Sequence, residues 1–431
     1  MNHRLLNGVG VFAIAAIMAA GCSSTTNSPA AQESSSSPTV SAATSTPAPA
    51  TPAAAHGVEA TINDVPWSKV GPGWTLATWR PVTPHMPGAQ PAPGEPDPQT
   101  AATTLYLVDP AGNRYAISTF SGADARLELA DWSGDGSHAL FVSSEYPEPS
   151  KVISIDLHTG EQTTIPVQGY PRYTRPDGKA LLVSTDFNGN EPGTLKRIDF
   201  AGNLQLSYPT EELGGAGQFS GRYLESPDGT QLVLGTANLG NEVVPRSDDS
   251  LVVMGNDGTI VRTLPTPMKN AECSPVRWLT PTVVLAHCTA EHGSARQLWK
   301  VPIDGGTPTA LTAANSGDES DPGFGQDLDD INAWQLPSGT FLQSLGPCGT
   351  VFLSRLTPDG HTTRVNVPGV SDSVGVAGAT GDKLVLQAQV GCGGTTSLLT
   401  YDPASNTPTV LLGPPVNGGG VTTAIPFGGK K

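Results

Sequence analysis

Charge is scarce in this chain. Only 14% of its 431 residues are Asp, Glu, Lys or Arg, and aromatics make up only 6%. Basic residues are the scarcer kind, 23 against 39 acidic, leaving a formal net charge of −16. This balance argues against a nucleic-acid partner, because no basic patch is present to neutralise phosphates. It also gives no electrostatic attraction to an anionic membrane surface. Beyond the first twenty residues no apolar run is long enough to cross a bilayer. Catalytic signatures are missing too: there is no Walker loop, Gly-x-Ser-x-Gly elbow, His-Glu-x-x-His or Cys-x-x-Cys. No cofactor is expected.

Glycine and proline are plentiful instead, 50 and 40 residues, about a fifth of the chain. Both are costly in helix interiors, so long helices are excluded. No glycine recurs at every third position, so collagen is excluded as well. Residues 1–57 hold only four Gly and five Pro. The surplus therefore belongs to the rest of the chain and punctuates it.

The N-terminus reads as an export signal. Arg4 supplies positive charge, and an apolar run of 13 residues extends from Gly8 to Ala20. Ala19-Ala20-Gly21-Cys22 resembles the bacterial lipobox. That resemblance implies cleavage before Cys22 and its thioether lipidation. The plainer alternatives are an ordinary cleaved signal or a transmembrane anchor. Residues 23–57 are Ser, Thr, Ala and Pro, with Val40 the one large aliphatic. They bury too little surface to offset ordering entropy and are expected to be a disordered tether. The expected organisation is a signal over 1–21, a lipidated Cys and linker over 22–57, and one folded domain over 58–431.

That domain repeats a unit of strand, turn, strand, loop, strand, turn, strand. Its second-strand copies are Thr75–Trp79, Ala139–Ser143, Ala180–Ser184, Gln231–Gly235, Val283–His287, Phe341–Leu345 and Leu384–Ala388. All are short, apolar and β-prone. Most follow a tight reversal such as Gly134-Asp-Gly136, Pro176-Asp-Gly178 or Pro227-Asp-Gly229. A later turn in each copy is marked by Gly112, Gly160, Gly202, Gly258, Gly305, Gly360 and Ser405, spaced 42 to 56 residues apart. Seven four-stranded units about 49 residues apart predict an all-β chain, a β-propeller of seven four-stranded blades.

Ser226-Pro-Asp-Gly229 before Leu232-Val-Leu, and Trp132-Ser-Gly-Asp-Gly136 before Leu140-Phe, resemble the repeats of TolB-like and WD40-like bacterial propellers. The resemblance covers about 58–431 and implies fold far more than function. The ring must close, and Val421–Pro426 is expected to pair into blade one beside Thr61 to Trp67.

With Cys22 lipidated, four cysteines remain for an oxidising compartment. Cys273 and Cys288 flank one hairpin symmetrically, and Cys348 and Cys392 occupy corresponding loops of neighbouring blades. Bridges Cys273–Cys288 and Cys348–Cys392 are predicted, with all four cysteines on one rim.

Candidate chemistry is sparse. His287, Cys288, Glu291 and His292 form a compact group, but irregular spacing and the disulfide role of Cys288 argue against a metal. The same rim carries Glu145, Glu148, Asp186, Glu191, Glu242, Asp248 and Asp249, and farther on Asp318, Glu319, Asp321, Asp327, Asp329 and Asp330. Such loops would suit Ca²⁺ or a basic partner, and solvation of surface loops is the plain reading. Arg172-Tyr173, Arg222-Tyr223 and Arg277-Trp278 recur on inner strands. There they would bind an anion or form inter-blade salt bridges with residues such as Asp131. Trp67, Trp132, Trp278 and Trp334 recur likewise and are expected in the inter-blade core. Seven prolines make 81–98 an extended insertion.

The expected protein is an exported lipoprotein, anchored by lipid to the outer face of the bacterial cell membrane. Its propeller is expected to bind an envelope protein or a small ligand. The alternative is an envelope hydrolase or lyase acting on glycans from the rim.

Overall fold

The structure, a computed structural model, describes residues 52–82, 93–143, 149, 151–188, 191–237, 249–290, 293–321, 323–324, 327–370, 373–390 and 395–428. The strands assemble into seven separate sheets, one per sequence repeat, as the blades of a β-propeller. Two short N-terminal strands come first, β1 (Ala53–Ala54) and β2 (Glu59–Thr61). Blade one then contributes β3 (Thr75–Arg80), β4 (Thr103–Val108) and β5 (Arg114–Phe120). Blade two is β6 (Glu128–Trp132), β7 (His138–Val142), β8 (Val152–Asp156) and β9 (Gln162–Ile165). Blade three is β10 (Tyr170–Tyr173), β11 (Leu181–Ser184), β12 (Leu195–Ile198) and β13 (Leu204–Ser207). Blade four is β14 (Gln218–Glu225), β15 (Gln231–Ala237), β16 (Leu251–Gly255) and β17 (Ile260–Thr263). Blade five is β18 (Ala271–Thr280), β19 (Val283–Ala290), β20 (Arg296–Pro302) and β21 (Thr309–Ala310). Blade six is β22 (Asp329–Leu336), β23 (Gly339–Leu345), β24 (Val351–Leu356) and β25 (Thr362–Arg364). Blade seven is β26 (Val374–Thr380), β27 (Lys383–Val390), β28 (Thr395–Asp402) and β29 (Thr407–Leu412), and β30 (Gly420–Pro426) follows. Every second strand expected from the sequence is present.

Both ends of the described chain close the ring. β30 returns to blade one and pairs antiparallel with β3, from Thr75↔Pro426 to Arg80↔Gly420. It thereby becomes the innermost strand of blade one. The expectation that it lies beside Thr61 to Trp67 needs correction. Ile62–Asp64 and Trp67–Lys69 are 3-10 turns, and β2 lies on the opposite, outer edge of the blade, parallel to β5. Just before it, β1 pairs parallel with β29 of blade seven. The N-terminal segment thus straps blade seven to blade one from outside, while β30 fastens blade one from inside. Ala53 and Ala54 fall within the expected tether yet form β1. Their contribution is main-chain hydrogen bonding, which residue hydrophobicity does not reveal.

Apolar side chains fill the seams between blades. Leu76, Leu107, Trp132 and Phe141 pack between blades one and two, and Val385, Leu398, Tyr106 and Val421 between blades seven and one. The second strands of the blades therefore bury both faces, and their sequences run apolar instead of alternating, whereas outer strands such as β13 and β17 are mostly exposed. The turns between first and second strands also pack from blade to blade. Gly178 has φ +68°, and a Cβ there would lie 2.6 Å from Ser133 Cβ of the preceding turn. Gly229 (φ +72°) similarly abuts the Arg175 carbonyl. The Asp-Gly pairs thus serve reversal and seam together.

Deleting residues 418–431 would remove the inner strand of blade one, with buried Val421 and the Phe427 ring that meets Trp132 at 5.0 Å. A loss of about 5 kcal/mol, or failure to fold, is expected from the lost apolar burial. Thermal and urea unfolding of the truncated chain check this.

Candidate functional site

The inner strands line the propeller axis. Most carry an extra residue that interrupts their register, as at Leu129/Asp131, Pro275/Arg277, Asp330/Asn332 and Val376/Gly378. β14 departs furthest: Phe219 pairs with Thr236 and Tyr223 with Leu234, so three residues, Ser220 to Arg222, bulge out. Gly221 (φ +95°) permits this bend close against Asp186. β10 shows no such shift.

These bulges decide where the three candidate arginines go. Arg172 and Arg222 are exposed, and neither guanidinium has a carboxylate partner among the described residues. Arg277 is different. Its guanidinium lies 4.9 Å from the Trp334 ring centroid and donates to Ala333 O at 3.4 Å. Burial lowers its pKa to about 10, so it braces the seam to blade six. The aromatic partners all reach back to the preceding blade. Tyr173 Oη meets Ser154 Oγ at 2.7 Å, Tyr223 Oη donates to Leu182 O, and Trp278 Nε1 donates to Glu225 O. Trp132 and Trp334 are buried as expected. Trp67 is not an inner-strand residue; it stacks on His158 at 3.9 Å beside the outer strands.

The salt bridge to Asp131 exists, but Arg175 makes it. Arg175 donates to Asp131 Oδ1 and to Trp132 O, each at 2.8 Å. Its own N–H donates to Glu225 Oε2 at 2.7 Å. One residue of blade three thus joins blades two and four. The sequence carried a signal for this, since Arg175 stands where the sibling turns have Ser133 and Ser226. Burial raises Glu225 to about 7, against the pull of Arg175.

On the cysteine rim, Cys273 and Cys288 form the predicted disulfide, directly opposite one another in β18 and β19. The predicted Cys348–Cys392 bridge lies outside the described residues, as do Cys22, Glu145, Glu148, Glu242, Asp248, Glu291 and His292. His287 Nε2 meets Asp329 Oδ1 at 2.8 Å. Among the described residues no three His, Cys, Asp or Glu side chains converge as metal ligands. Asp318 and Glu319 are solvated, but Asp249, Asp327, Asp329 and Asp330 are buried, unlike the surface carboxylates expected there.

A shallow cleft of about 320 Å³ opens on the opposite face, between Val70, Pro72, Asp135, Pro176, Asp177 and Phe427. Its carboxylates are turn-formers. Burial pushes Asp135 up, but donors on Ser133 and Ser137 outweigh it and leave a net lowering. Asp177 is lowered by Lys179. Neither has the raised pKa of a general acid. That face also bears acids the sequence reading passed over: Asp109, Asp156, Asp199, Asp257, Asp304, Asp359 and Asp402, one per blade. Each accepts hydrogen bonds from its own turn, as Asp199 does from Ala201 N and Asn203 N.

No protein-family model and no curated protein matches the chain. Solved structures do. Prolyl oligopeptidase B from Galerina marginata, as the apo protein, aligns with TM-score 0.50 and 10% identity over 82% of this chain and 52% of that one. The chain thus spans about half of that peptidase. The β-propeller domain of the Trilobed protease from Pyrococcus furiosus gives TM-score 0.47 and 14% identity, covering 73% of this chain and 88% of that one. Oligogalacturonate lyase in complex with manganese gives 0.46 and 14%, covering 77% and 92%. The likeness is one of fold. At such identities it assigns no chemistry.

Two outcomes are expected. Replacing Cys273 and Cys288 by Ser opens a loop spanning 15 residues and should lower unfolding free energy by about 3 kcal/mol, measured by urea titration. Glu225, ionising near 4.5 when unfolded and raised to about 7 when folded, takes up a proton on folding between those values. Stability should therefore fall as pH rises from 4.5 to 7, by roughly 2–3 kcal/mol at most. Glu225→Gln should make that part of the melting profile less steep.

Proposed function

We propose that this chain is an exported, TolB-like lipoprotein, held at the outer face of a bacterial cell membrane by lipid on Cys22. Its propeller is a binding scaffold for an envelope protein or small ligand bearing an anionic group. The binding reading rests on one observation: Arg172 and Arg222 are exposed and without carboxylate partners among the described residues, in a chain of net charge −16. A guanidinium fork suits a carboxylate or phosphate, and inner strands of a closed ring hold it with little conformational freedom. Anchoring is supported by Cys22 after a short apolar run and by the linker that follows.

Affinity capture from detergent-solubilised envelope, with the lipidated protein as bait, tests the binding reading. Arg172→Ala/Arg222→Ala should lose the captured partner at least tenfold while keeping the wild-type melting temperature. Undiminished capture would remove both arginines from the site. Metabolic labelling with palmitate should mark the wild type. Cys22→Ala should be unlabelled and released in soluble form, and its retention in the membrane fraction would sink the anchor.

A further inference from the structure

The seam between blades five and six has the smallest apolar filling of the seven: Leu285, Leu298, Leu311, Ala333 and Leu342. Polar side chains occupy the remaining space. Asp327, Asp330, Ser344 and Ser354 are all at most 4% exposed. Ser344 Oγ donates to Asp330 Oδ1 at 2.7 Å and lies 2.8 Å from Ser354 Oγ. Asp327 Oδ1 accepts from Asp329 N at 2.9 Å. Asp330 Oδ2 is buried and meets no N–H or O–H donor among the described residues. The carboxyl groups of Asp330 and Asp327 meet one another.

The basic residues described nearby do not serve this pair. His287 from β19 and Arg296 from β20 both face Asp329, at 2.8 and 3.7 Å. Arg277 from β18 is stacked on Trp334. His361, ahead of β25, pairs with Asp359 at 3.3 Å and packs on Phe324. Asp318 and Asp321, on the loop before β22, add only negative charge. Two buried carboxylates in contact cannot both stay ionised without a counter-charge. A single proton between them satisfies both, with Asp330 as donor and Asp327 as acceptor.

We propose that this seam is an acid-dependent joint, in which one proton shared by Asp327, on the loop leading from blade five, and Asp330, on the inner strand of blade six, holds that loop against blade six, and its loss to solvent loosens the ring there. After deprotonation, two adjacent anions face each other in a seam with only five buried apolar residues, and Val276, Leu279 and Leu356 packed on them, to oppose their repulsion. Burial first, and then the charge of Asp327, raise Asp330 well above the usual carboxylate range, in keeping with this geometry. The sign is that of a raised acid: the folded state holds a proton that the unfolded chain releases. Stability is therefore lost as pH rises, up to tenfold in the folded-to-unfolded ratio per pH unit until Asp330 ionises.

The test is made in the Glu225→Gln background, so that Glu225, which burial raises to about 7, does not contribute. Melting temperature is followed from pH 5 to 9. Adding Asp330→Asn, whose amide still donates to Asp327, should abolish most of the remaining fall and leave the variant more stable than its parent at pH 9. An unchanged pH profile would overturn the proposal. Should that variant not fold, hydrogen exchange of the parent decides. Protection in Asp329–Leu336 should drop with rising pH faster than intrinsic exchange predicts, while Leu181–Ser184 in blade three stays protected. Equal loss in both segments would also overturn it. Calcium chloride at pH 8 provides the last arm. If it raises the melting temperature of the parent but not of Asp330→Asn, a metal ion and not a proton closes the pair, and the proposal fails.

Discussion

A propeller stands or falls by closure of its ring. Each blade buries both faces against its neighbours, so an open joint would expose two apolar faces at once. This chain closes the joint between blades seven and one twice. β30 completes blade one from the axis, and β1 and β2 bind the same two blades from outside. The two closures use opposite ends of the described chain and opposite edges of the sheets. Hydrogen bonding is nevertheless the same in kind: both satisfy strand edges that would otherwise stand open.

The seams are not equivalent. Those flanking blade one are broad and apolar, rich in Leu, Trp and Phe toward blade two and in Leu, Val and Ala toward blade seven. Around blades two to four, stacked turns and the Asp131–Arg175–Glu225 bridge add polar links near the axis. Blades six and seven use another device: Gln343 and Gln387 on second strands each reach carbonyls of the next inner strand. Seven repeats of one unit have thus diverged in how they hold their neighbours, while the strand scaffold stays constant. Function on such a ring would follow these local differences, because the common framework is shared by unrelated proteins.

Much of the fold was legible in the sequence because turn chemistry is local. Asp-Gly and Pro-x-Gly mark reversals whatever surrounds them, and the apolar runs between them have strand length. The Cys273–Cys288 bridge was legible for the same reason, since a hairpin midpoint fixes which residues face each other. The site was less legible. Arg172 and Arg222 sit beside similar aromatics, but β14 bulges by three residues and β10 does not, so equal spacing does not mean equal direction. Asp327 and Asp330 look like a solvated loop in sequence, and only tertiary packing buries them. The strand at Ala53–Ala54 carries no side-chain signal at all.

The outer strap has a mechanical consequence. Tension drawn through the N-terminal segment would reach β1 first, which has only two residues paired along β29. β2 comes next, with three residues paired to β5. Only after both had peeled away would load pass to the longer strands of blade one, and β30 at the axis would still hold the ring shut. With so few paired residues, the short outer strands would yield under such a pull before the blade itself is loaded.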